Sequence, residues 1–136
     1  MTALPTLPIV ALYAGLNGLI LLWLAVAVGM TRSRTGIWTG DGGSAELIRV
    51  MRGQANFAEY VPFCLILLLL MAALGAPGYI LHLFGLALTG ARTLHGLHFT
   101  GIVSTLVARQ VGATVTLLLL LFGSLGVIVH AAILIG

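Results

Sequence analysis

The sequence predicts an all-α membrane protein, a bundle of four transmembrane helices running up-down-up-down. Three observations carry that prediction. Of the 136 residues, 60% are hydrophobic and only 7% charged, against about 25% charged in an ordinary soluble domain. A soluble fold of this chain could not cover its surface with polar groups. Four segments are long and apolar enough to cross a hydrocarbon core of about 30 Å, which takes about 20 helical residues at about 1.5 Å each. The breaks between them carry glycine, proline and polar residues, as helix ends do. The mean hydropathy of +1.19 also excludes disorder, which needs low hydrophobicity and high charge. The basic balance comes from six arginines set against three acids. These do not cluster on a solvated face as in a nucleic-acid binder, so no nucleic-acid partner is expected.

The whole chain, residues 1–136, reads as a single domain. The first span runs from about Pro8 to Met30, with Asn17 its only strongly polar member. It is too long for a signal-peptide core and no charged segment precedes it, so it is expected to be retained. Thr31 to Ser44 (TRSRTGIWTGDGGS) is polar and glycine-rich, hence a loop. The second span runs from about Ala45 to Leu74. Ser44 is placed to cap it, and Glu46 in its first turn suits the positive end of the helix dipole. Gly75 and Pro77 bracket a very short turn, with proline starting the third span, Pro77 to His98. Phe99 to Gln110 is a partly helical connection, and the fourth span runs from about Val111 to Ile135.

Arginine placement orients the bundle. Arg32, Arg34, Arg49 and Arg52 flank the first connection, and Arg92 and Arg109 flank the third. The turn at Gly75 and both termini carry no basic side chain. The positive-inside rule therefore places connections one and three in the cytoplasm and both termini outside, with a bacterial inner membrane as the expected location.

The second span is overlong. About 30 residues make about 45 Å of helix, more than the membrane core requires. Its apolar part is Val61 to Ala76, so its polar first half lies at the cytoplasmic interface and dips into the bilayer. There Arg49, Arg52, Asn56 and Glu59 recur at spacings of three, four and three, which is one stripe of a helix, with Tyr60 beside it. Charged groups at membrane depth face a bundle interior, a wet cavity or one another. A guanidinium grips carboxylates, an amide donates and accepts, and a carboxylate holds an ammonium. The set suits a small zwitterion such as a peptide. The competing structural reading is that Arg52 and Glu59 pair, within the helix or across helices, and simply glue subunits.

The run Arg49-Val-Met-Arg52-Gly-Gln54-Ala-Asn56-Phe-Ala-Glu59-Tyr60-Val-Pro62 resembles the signature of the MAPEG family, membrane-associated proteins in eicosanoid and glutathione metabolism. The end of the third span, Ala91-Arg92-Thr-Leu-His95, resembles the family's second motif. Four spans, a long polar first loop and a short second turn agree, over nearly the whole chain. The resemblance implies a homotrimer with glutathione as co-substrate, held between subunits by Arg32, Arg52, Gln54, Asn56, Glu59, Tyr60, Arg92 and His95. It also implies a glutathione transferase or peroxidase-like activity on lipophilic electrophiles arriving from membrane lipid. Catalytic roles fall to Arg109 and Arg92, since a nearby cation favours the reactive thiolate. The chain looks closest to the short bacterial members.

Two departures point the other way. Phe99 stands where the eicosanoid enzymes carry a tyrosine, so a hydrogen-bond donor is missing, and the offset of Arg109 from Arg92 does not match the thiol-activating arginine. These favour an alternative, a non-catalytic lipid- or thiol-binding scaffold. A small multidrug transporter would need a carboxylate deep in a span, whereas Glu59 lies near the cytoplasmic end and the first span has no acid. His95 and His98 lack further ligands for a metal, so none is expected, and His95 is expected to orient Arg92 by a hydrogen bond. Cys64 reads as buried filler, and Trp23 and Trp38 as packing and interfacial anchors. Asn17 reads as an interhelical donor, placed across the trimer axis. Gly85, Gly90, Gly96, Gly112, Gly123 and Gly126 mark expected close helix contacts.

Overall fold

The computed structural model describes residues 6–136; the first five residues of the expected domain lie outside the described residues. Helix α1 spans Leu7–Thr35, α2 Ala45–Ala73, α3 Gly78–Phe99 and α4 Leu106–Ile135. No strand occurs among the described residues. Helices α1, α2 and α4 are long and apolar enough to cross a membrane. Helix α3 is not in that set. Its 22 residues give about 33 Å, which is sufficient length, but it carries Arg92 and His95 on a face buried within the bundle.

Two helices are longer than expected. Helix α1 continues past Met30 through Arg32 and Arg34, whose charges suit the negative end of the dipole. It stops where Gly36 turns left-handed at φ 70° and donates its N–H to the Arg32 carbonyl, a glycine C-cap. Helix α4 begins at Leu106 rather than Val111, so Arg109 sits on a helix and the third connection shrinks to residues 100–105. Pro77 caps α3 instead of opening it. Ser44 caps α2 as expected, accepting from the Leu47 N–H at 3.3 Å. Ser44→Ala should cost about 1 kcal/mol, read as a small fall in the unfolding midpoint in detergent.

The register of contacts fixes the alternation. Tyr13 and His82 share a hydrogen bond of 2.9 Å, and Asn17 donates to Thr89 at 3.0 Å, so α1 and α3 run parallel. Thr6 donates to the Ala72 carbonyl at 3.4 Å, which places the start of α1 at the end of α2. Gly112 lies against Ala91 and His95, and Gly123 against Phe84 and Leu67, so α4 runs against α3 and along α2. Helices α2 and α3 each touch all the others, while α1 and α4 do not meet. The apolar core between them contains Phe57, Val61, Leu68, Leu81 and Leu88. Cys64 is buried in it.

Asn17 is an interhelical donor, but its partner is Thr89 of the same chain, not a residue across a symmetry axis. Four of the six glycines read as contact points are so: a Cβ at Gly85, Gly96, Gly112 or Gly123 would overlap a neighbouring helix. Gly90 and Gly126 face open space. Gly112 is the tightest backbone approach, since its Cβ would lie 2.6 Å from the Ala91 carbonyl oxygen.

Candidate functional site

The up-down alternation gathers the start of α2, the end of α3 and the start of α4 at one end of the bundle. There the stripe on α2 meets two other helices around a chamber of about 350 Å³. Its walls are Arg49, Arg52, Ala55, Asn56 and Glu59 from α2, His95 and Phe99 from α3, and Arg109 and Ala113 from α4. A second, inner chamber of about 50 Å³ adjoins it, lined by Asn56, Tyr60, Arg92, Ala113 and Leu117. Asn56 and Ala113 belong to both.

The outer chamber is cationic. Three arginines and one carboxylate, Glu59, line it. One form of the structural reading pairs Arg52 with Glu59 within the chain. They do not pair: among the described residues the one ion pair is Arg34 with Glu46, which ties α1 to the head of α2. That pair is largely solvated and worth about 0–1 kcal/mol. Within one chain the charges of the stripe line the chamber.

Arg92 is the most deeply placed charge, only 1% exposed. Its Nη1 donates to Asn56 Oδ1 at 2.8 Å, and its Cζ lies 5.8 Å from the centre of the Tyr60 ring, within cation–π range. Its Nε finds no acceptor among the described residues. Arg109 instead lies over Phe99, with Cζ 5.7 Å from the ring centre. Phe99 is itself held between His95 at 4.7 Å and His98 at 5.3 Å. Gly53 makes room for it, since a Cβ there would stand 2.5 Å from the Phe99 Cβ. Gly101 ends α3 in the left-handed region at φ 82°. A Cβ at that position would come 2.8 Å from Arg49 Nη2, so the glycine turn also seats Arg49.

Of the residues named from the sequence, Arg52, Asn56, Glu59, His95 and Arg109 line the outer chamber, and Tyr60 and Arg92 line the inner one with Asn56. Arg32 and Gln54 line neither. Arg32 donates to the Ile37 and Gly40 carbonyls, each at 2.9 Å, and so closes the first loop. Gln54 is two residues from both Arg52 and Asn56, about 200° around the helix, and leaves the stripe. His95 stacks on Phe99 and makes no hydrogen bond to Arg92 among the described residues. Arg49 and Phe99 are chamber residues that the sequence reading did not assign to the site. Arg49 belongs to the stripe on α2, whereas from the sequence Phe99 signals only a missing hydroxyl.

A model of the MAPEG family matches residues 10–129, which takes in both chambers, all of α2 and α3 and most of α1 and α4. The chain belongs to the MAPEG family. It is also similar to the inner membrane protein YecN of Escherichia coli strain K12 and to YecN of Escherichia coli O6:H1 strain CFT073. Each is 36% identical over 90 residues, covering 65% of this chain and 69% of the relative. The residues lining both chambers of this MAPEG membrane protein lie within the matched stretch.

Proposed function

We propose that this MAPEG protein is an integral inner-membrane protein that binds glutathione and activates its thiol for attack on lipophilic electrophiles, as a transferase or peroxidase. One observation carries the reading: Arg49, Arg52, Asn56, Glu59 and Arg109 converge on one chamber of about 350 Å³. That volume falls within the range of about 300–1,000 Å³ typical of small-molecule sites. The guanidinium groups suit the two carboxylates of the tripeptide, and Glu59 suits its ammonium. Inner-membrane residence is supported by the apolar helices and by the name of the relatives. With connections one and three in the cytoplasm, the chamber opens to the side where the thiol is made.

Titration of glutathione into the detergent-purified protein tests the reading. Glu59→Ala should weaken binding about 10–100-fold, the worth of a hydrogen bond to a charged group. Equal affinity in the two proteins, or no binding to the wild type, would refute it. A homotrimer would let Gln54, which in one chain lies away from both chambers, reach a neighbour's site. Its test is the protein mass in detergent: three times the 14.2 kDa chain is expected, and a single chain mass contradicts it.

Phe99 favours a second reading, a non-catalytic lipid- or thiol-binding scaffold. It puts an apolar ring under Arg109 where a phenol would supply a donor. Tight glutathione binding without conjugation of any aryl halide would select that reading.

A further inference from the structure

We infer that Phe99 is a positioning residue: its ring, rather than any hydroxyl, holds the Arg109 guanidinium at the wall of the outer chamber. The basis is a contrast among the arginines. Arg92 donates to Asn56, and Arg49 lies against the glycine turn at Gly101. Arg109 has neither kind of support. Among the described residues it forms no ion pair and no side-chain hydrogen bond. What it has is Phe99, with Cζ 5.7 Å from the ring centre, within cation–π range. An arginine side chain gives up much rotamer freedom when it is fixed. Unsupported at the head of α4, Arg109 would sweep a wide volume. The aromatic face holds it where it forms part of the chamber wall.

The ring is itself fixed from two helices. On α3 the His95 ring lies 4.7 Å from it at a tilt of 34°, and the His98 ring 5.3 Å from it, edge-on at 84°. On α2, Gly53 leaves no spare room, since a Cβ there would stand 2.5 Å from the Phe99 Cβ and 2.9 Å from its Cγ. Phe99 thus passes the placement of α2 and α3 on to a charge carried by α4. No hydroxyl is needed for this. The attraction comes from the quadrupole of the ring face, which phenylalanine and tyrosine share. That Arg109 grips a carboxylate of glutathione rests on the functional reading above; that Phe99 fixes Arg109 does not.

The first arm of the test uses no thiol. The detergent-purified protein is treated with phenylglyoxal, which modifies accessible guanidinium groups, and the rate at Arg109 is read by peptide mass relative to Arg52. Arg52 lines the same chamber but lies over no aromatic ring among the described residues. Phe99→Leu removes the ring and keeps an apolar side chain. It should raise the relative rate at Arg109 about 2–5-fold, the worth of an exposed cation–π contact. Phe99→Tyr should keep the wild-type rate, because the ring face remains. Gly53→Ala displaces the ring without altering it, so it should act as Phe99→Leu does, and it serves if Phe99→Leu does not fold. A wild-type relative rate where the ring is lost or displaced, or a rate in Phe99→Tyr as fast as in Phe99→Leu, overturns the proposal. A site that has merely loosened gives the first of these results, since Arg52 then speeds up as well.

The second arm measures glutathione affinity in Phe99→Leu, Arg109→Gln and the double variant. If the ring acts through Arg109, its loss should weaken binding about 2–5-fold when Arg109 is present and not at all when it is absent. Equal losses in both backgrounds mean that the ring acts by another route, and overturn the positioning role. Absence of glutathione binding to the wild type refutes the functional reading and leaves the labelling result standing on its own.

Discussion

Gly112→Leu is expected to be the most damaging single substitution at the α3–α4 contact. The Cβ alone would stand 2.6 Å from the Ala91 carbonyl oxygen and 2.8 Å from the His95 Cβ. The first obstacle is backbone, so no rotamer change relieves it and α4 must move away. Overpacking a filled contact costs about 1–3 kcal/mol and sometimes more, and this case belongs at the upper end. Because His95 and Ala113 both wall the outer chamber, the displacement should also widen the site. We expect a fall of several degrees in the unfolding midpoint in detergent, together with loss of glutathione binding. Gly90→Ala is the matched control. It lies on α3 with nothing within 4 Å of its added Cβ, so it should be neutral or slightly stabilising, as alanine favours a helix over glycine by about 1 kcal/mol. Equal damage from both would mean that helix contacts do not set the cost.

The contrast between those glycines marks where sequence reasoning stops. Composition and periodicity were enough for the four helices and for the Arg52, Asn56 and Glu59 stripe, because both follow from local geometry along one helix. Which glycine faces a neighbour depends on the rotation of each helix in the bundle, and no local pattern encodes it. Gly53 was not read as a contact, yet it lies under Phe99. Arg109 came within reach of Phe99 because α4 starts at Leu106, in a stretch whose moderate polarity reads equally well as loop. The separation of the site into two chambers was also illegible. It depends on Arg92 turning inward to Asn56, 36 positions away in the chain.

Asn56→Asp is expected to separate stability from glutathione binding. Asn56 accepts the Arg92 hydrogen bond at 2.8 Å and stands in the wall shared by both chambers. Asn56→Ala removes that acceptor and leaves a second buried N–H of Arg92 without a partner. The cost should be about 1–3 kcal/mol, more than for a neutral donor because the group is charged. A carboxylate at the same position keeps the acceptor and also neutralises the guanidinium in a short charge-assisted contact. The folded state of Asn56→Asp should then be at least as stable as the wild type. Glutathione affinity, read by titration into the detergent-purified protein, should fall at least tenfold, since a like charge now opposes the carboxylates of the tripeptide. If Asn56→Asp were instead less stable than Asn56→Ala, Arg92 would not carry an uncompensated charge. Retention of asparagine there would then have no electrostatic reason. On the geometry in hand the reason is direct: an amide holds Arg92 in place without cancelling the charge that the chamber uses.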